Sequence, residues 1–320
     1  MEGKILTPQE REFWQKTKPL GLILFARNIE EPAQVKALVQ TVKDLGTPLV
    51  LIDQEGGRVQ RLRPPHWTNF PPARLIAEKS SNPLRASWLL GRLLAYELAE
   101  LGINVDCAPV LDVPIEGAHD VIGDRAFGLD PLQVGKLGRE LALGLMAGGV
   151  LPVVKHIPGH GRALADSHLE LPMVNASLSE LQASDFLPFK ALADMPLAMT
   201  AHVLYRDLDN LNPATTSTLV IERIIRQEIG FQGLLMSDDL AMQALAGNME
   251  DRARKSLHAG CDILLHCNGK MEEMEIIARM TEGLIITSNQ TATLLSCGQR
   301  LIEINYLEAK KEFESLLPNV

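Results

Sequence analysis

Cysteine is scarce in this 320-residue chain. There are four, Cys107, Cys261, Cys267 and Cys297, and no two are spaced as CxxC. Nothing in that pattern suggests a disulfide framework or a zinc site. Three of them, Cys107, Cys261 and Cys267, lie in or beside apolar runs, where reduced, buried thiols are common. No apolar stretch is long enough to cross a bilayer. The first residues, MEGKILTPQEREFWQKTK, lack the apolar core of a secretion signal. They read instead as a short helix with Thr7 as cap and Pro8 in its first turn. Basic residues are in deficit, 31 against 40 acidic ones, for a net charge of −9. Nucleic acid and anionic membrane surfaces are therefore not the expected partners. HxH and HExxH pairs are also missing, as are linkers and low-complexity tracts. The expectation is one soluble, cytoplasmic domain over 1–320, without metal or cofactor.

Hydrophobic residues, by contrast, make up 46% of the chain, enough for a large core. They fall into seven short runs: 20–26, 48–55, 103–113, 151–156, 197–203, 233–239 and 262–268. Helical spacing fills the gaps at about 31–45, 83–101, 131–148, 178–193, 218–229 and 249–260. Alternating strands and helices indicate βα units and a parallel sheet, and near-continuous apolar strands fit a sheet covered on both faces. Unusual polar residues close most runs: Asp53 and Glu55, Asp112, Lys155 and His156, His202, Asp238 and Asp239, His266 and Asn268. An open sheet would gather such residues at one switch point. A (β/α)8 barrel of the TIM type would bring all the strand ends to one mouth, so that fold is expected. The eighth unit is not evident, and an irregular or incomplete barrel fits the pattern as well.

The richest stretch is 151–168. An apolar strand delivers Lys155 and His156, turns at Pro158, Gly159 and Gly161, and ends at Asp166-Ser167-His168. A carboxylate two residues from an imidazole can fix its tautomer and raise its basicity, which suits proton transfer. His156 and His160 are four apart, but Pro158 and Gly159 rule out a regular helical metal pair. Asp53-Gln-Glu-Gly-Gly-Arg-Val-Gln-Arg61 either braces a loop or binds sugar hydroxyls through a carboxylate and a guanidinium. Arg125, alone, reads equally as a surface arginine. Asp238 and Asp239 should point to opposite sides of their strand, one into the mouth and one capping a helix near Ala241. A carboxylate facing a general acid/base is what retaining glycoside hydrolysis requires.

These motifs together resemble the single-domain β-N-acetylglucosaminidases of glycoside hydrolase family 3, the branch that serves bacterial cell-wall recycling. The resemblance rests on ILFARN (23–28), DQEGGRVQR (53–61), APVLDV (108–113), IGDRAFG (122–128), KHIPGHG (155–161), ADSH (165–168), MTAHV (199–203) and SDDL (237–240). It implies Asp238 as nucleophile and His168 as acid/base on a mobile loop, with Asp166 as its dyad partner. It implies that Asp53, Arg61, Arg125, Lys155 and His156 grip an N-acetylglucosamine ring. The implied substrates are N-acetylglucosamine-containing 1,6-anhydromuropeptides, cleaved in the cytoplasm by a monomer. Departures from the family pattern are Ile157 for Phe, Ala126 for Ser, and Arg162-Ala163 for Asp-Thr.

Overall fold

The computed structural model describes residues 1–167, 169–283, 294 and 302–318. Seven short parallel strands form one sheet, ordered as in the chain: β1 (Gly21–Leu24), β2 (Leu49–Ile52), β3 (Val105–Asp106), β4 (Leu151–Ile157), β5 (Leu197–Thr200), β6 (Leu234–Asp239) and β7 (Ile263–Leu265). Helices run between and after them at Pro32–Asp44, Pro83–Glu100, Pro131–Ala147, Val220–Ile229, Met249–Ala259 and Met271–Met280. The first three open on proline, whose missing N–H costs nothing at a helix start. Asn82 and Asp130 cap two of them, accepting from the Arg85 and Leu132 amides. The amino-terminal helix, Pro8–Thr17, is capped by Thr7 in a reciprocal bond with Glu10.

Alternate strand residues face opposite ways, and both faces are covered. One face supplies Ile23, Leu51, Val105, Val153, Met199, Met236 and Leu265, one from each strand, to a single buried cluster. The other face supplies Leu24, Val50 and Ile52 to the packing against the early helices, and Val154, Ala198 and Leu235 to the packing against the later ones. Because β1 and β7 contribute to one interior cluster, the sheet curls until its edges approach each other.

The barrel expectation is corrected in one respect. Among the described residues the curled sheet has seven strands, and no pairing joins β1 to β7. A second correction concerns 178–193, which is two helices, Leu178–Ala183 and Phe186–Ala191. The physical reason is Pro188. It has no amide to donate to the Ser184 carbonyl, and its ring would crowd that carbonyl in a continuous helix.

Candidate active site

The carboxyl ends of the strands open on one cavity of about 170 Å³. Its lining comes from β1 (Ile23, then Phe25), the turn after β2 (Asp53 and Arg61), β4 (Lys155 and His156), β5 (Met199), β6 (Asp238 and Asp239) and β7 (Leu265, then Cys267). Arg125 reaches in from the long loop after β3. All five residues expected to grip a sugar, Asp53, Arg61, Arg125, Lys155 and His156, thus share one cavity with Asp238.

Two strand pairings are irregular beside the cavity. A regular strand turns successive residues to opposite faces. Pairing of β4 with β5 shifts register between Lys155 and Ile157, and pairing of β6 with β7 shifts between Met236 and Asp239. Lys155 and His156 both line the cavity, and so do Asp238 and Asp239. Asp239 does hold backbone, accepting from the Ala241 and Cys267 amides at 3.0 Å each. The segment it caps is a turn, not a helix.

The gripping residues are held by a chain of ion pairs. Lys155 Nζ sits 2.9 Å from Asp53 Oδ1 and 2.6 Å from Glu55 Oε1. Arg61 donates to the second Asp53 oxygen at 3.0 Å. Arg125 donates to both Glu55 oxygens at 2.8 Å in a bidentate fork. Burial alone would favour protonated Asp53, but Lys155 and Arg61 outweigh it and take its pKa far below the carboxylate range. Glu55 is likewise lowered, burial being overcome by Arg125 and Lys155. Burial works against the Lys155 charge, yet Asp53 and Glu55 raise its pKa above the usual lysine value.

Glu55 was not among the sequence candidates for the site, although it ties Lys155 to Arg125. The available signal was its place two residues after Asp53, on the same side of an extended segment. That segment turns sharply. Gly56 has φ +93°, and a Cβ there would lie 2.4 Å from the Pro71 carbonyl oxygen. Gly56→Ala should therefore cost more than about 1 kcal/mol of stability, since alanine is strained at positive φ and the backbone must also move. A urea midpoint equal to the parent's would contradict this.

A second set of bonds steadies the imidazoles. His156 donates from Nδ1 to Asp112 Oδ2 at 2.7 Å, and the His160 amide donates to Asp112 Oδ1 at 2.6 Å. Burial would raise the Asp112 pKa, but His156 and His160 hold it below the usual range. His202 is fully buried. Its Nε2 donates to the Asp239 carbonyl at 3.0 Å, and its Nδ1 lies 2.7 Å from the Thr215 hydroxyl. Sequence marks Asp112 and His202 only as polar strand ends and gives them no role, because a polar strand end does not show which way its side chain turns.

The two aspartates of β6 differ in electrostatic state. For Asp238, burial favours the protonated form, but His202, His156, the Asp239 amide and Lys155 together lower the pKa. For Asp239, burial prevails and the pKa rises. The neighbouring cations and the Asp239 amide thus favour the charged form of Asp238, whereas burial works against that of Asp239. On the loop after β4, Ser167 lines the cavity, and Asp166 precedes it. His168 lies outside the described residues.

Comparison with known proteins gives a consistent result. Residues 6–296 match the glycosyl hydrolase family 3 N-terminal domain. A β-hexosaminidase of Methylococcus capsulatus is 39% identical over 99% of this chain and 96% of its own length. One from Thiobacillus denitrificans is 42% identical over 81% of this chain and 74% of its own. Among solved structures, native NagZ from Neisseria gonorrhoeae superposes with a TM-score of 0.86 at 33% identity, covering 99% of this chain and 96% of that one. The same protein has been solved with N-trifluoroacetyl-D-glucosamine, where the TM-score is 0.82 at 35% identity over 99% and 94% of the two chains. Among the described residues, no helix is long and apolar enough to cross a membrane.

Proposed function

The chain belongs to glycosyl hydrolase family 3, and from that premise we propose that it is a retaining exo-β-N-acetylglucosaminidase. Its substrates are non-reducing terminal N-acetylglucosamine residues on peptidoglycan fragments, the 1,6-anhydromuropeptides released in cell-wall recycling. It acts in the cytoplasm, as a monomer and as one catalytic domain. The relatives' β-hexosaminidase activity and the sugar analogue bound by the Neisseria protein support this reading.

Asp238 attacks the anomeric carbon and displaces the leaving oxygen, which takes a proton from His168. A glycosyl ester of Asp238 results. Water then attacks the same carbon, gives its proton to the His168 imidazole, and frees the carboxylate with net retention. Asp166 orients the imidazole and offsets its charge. Asp53, Arg61, Arg125, Lys155 and His156 hold the ring through its hydroxyl groups and amide. The observation that carries the assignment is the contrast within β6: Asp238 lines the cavity with its pKa lowered by the groups around it, whereas the Asp239 carboxylate accepts from two backbone amides.

A slow fluorinated N-acetylglucosaminyl donor is expected to leave one sugar on the peptide that contains Asp238. Digestion and mass spectrometry locate it. A label on Asp239, or turnover with no trapped ester, would refute the nucleophile assignment.

A further inference from the structure

The chain leaves β4 through a firmly held stem. The Tyr205 hydroxyl donates to the Gly159 carbonyl at 2.6 Å. Arg162 Nε donates to the buried Asp185 carboxylate at 2.7 Å, and the His119 amide donates to the Ala163 carbonyl at 2.9 Å. Past Ala163 the chain emerges, with Leu164 64% and Leu169 76% exposed. Ser167 lies between them and is only 3% exposed. Two bonds draw it back. Its hydroxyl lies 3.3 Å from His160 Nε2, and its carbonyl accepts from the Ala244 amide at 3.2 Å.

His160 is itself anomalous. It is buried at the cavity wall, and its Nδ1 has no hydrogen-bond partner among the described residues. Leaving a buried ring nitrogen unmatched is costly, so packing alone is a poor reason for an imidazole at this place. Its Nε2 makes a hydrogen bond, and that bond goes to Ser167. Ala244 lies just beyond Asp238 and Asp239, in the turn that Asp239 holds through the Ala241 amide.

We propose that His160 and Ser167 form a clasp that positions the loop bearing Asp166 against the cavity and against the segment following the nucleophile. The clasp rests on the glycosidase reading above. Neither residue exchanges a proton with substrate; both are positioning residues for the group that does. Burial lowers the His160 pKa to about 4, so the ring is neutral in the clasp near neutral pH.

The test uses kcat/KM, which reports the glycosylation step, on two aryl N-acetylglucosaminides. One has a poor, weakly acidic leaving phenol and the other a dinitrophenol that departs without acid help. Ser167→Ala is expected to lower kcat/KM about tenfold on the first, the effect of one lost hydrogen bond, and by less than about twofold on the second. Ser167→Thr keeps the hydroxyl and should restore most of the loss. His160→Phe, which fills the space without a bond, should repeat the Ser167→Ala pattern and serves if Ser167→Ala does not fold. Equal losses on both substrates, or no loss on the first, would overturn the clasp. His168→Ala separates the two levels of the argument. If it shows the leaving-group dependence and Ser167→Ala does not, only the clasp falls. If neither shows it, the assignment of His168 as proton donor falls, and the clasp with it.

Discussion

Asp238→Ala should lose about 10⁴-fold or more in kcat, the scale of removing a covalent nucleophile, while the protein folds as the parent does. Folding should survive because, among the described residues, the Asp238 carboxylate's one hydrogen bond, at 2.8 Å, is to the amide of its own neighbour. Removing it also takes one buried charge away rather than stranding a partner. Azide added to the variant can occupy the vacated side of the sugar and attack directly. With a dinitrophenyl donor the expected product is the α-glycosyl azide, because a single displacement inverts the anomeric centre. Nuclear magnetic resonance distinguishes it from the β-anomer. Recovery of the β-azide, or an equally large loss in Asp239→Asn with azide rescue, would move the nucleophile elsewhere.

The second large effect is expected at Lys155. Lys155→Met keeps much of the side chain's volume but leaves Asp53 and Glu55 without their shared cation. Breaking a buried pair from one side typically costs about 3–5 kcal/mol, and urea unfolding at pH 7 should show a loss of that size. The pH dependence identifies the cause. Both carboxylates have folded pKa values below their unfolded ones. Their contribution is therefore complete above the unfolded values near pH 4 and is lost as pH falls toward the folded values. The gap between parent and variant should be widest at neutral pH and narrow as pH falls below about 4, where the unfolded chain takes up protons that the parent's folded carboxylates do not. A gap that stays constant with pH would point to lost packing instead.

Much of this arrangement is legible in the sequence because a parallel strand has to be apolar until it leaves the core. Asp53, Lys155, His156 and Asp238 stand where apolar runs stop, and the same rule places them at one mouth. Arg125 gives no such sign. Its function depends on Glu55, seventy residues earlier, and only the fold brings the fork to the carboxylate. Pro188 did carry its message, but a helical apolar spacing on both sides of it masked the break. The closure of the sheet is the least legible quantity, because it depends on how β1 and β7, far apart in the chain, come to lie relative to each other.

The interior cluster has a kinetic corollary. Ile23, Met199 and Leu265 belong both to that packed cluster and to the lining of the cavity. The cavity is therefore a cul-de-sac, floored by the same side chains that fill the curl. On the exo-glycosidase reading proposed above, such a floor suits one terminal unit at a time, with the substrate let go between cuts. The remainder of the substrate, lying outward, must depart first, and the sugar follows by the door through which it entered.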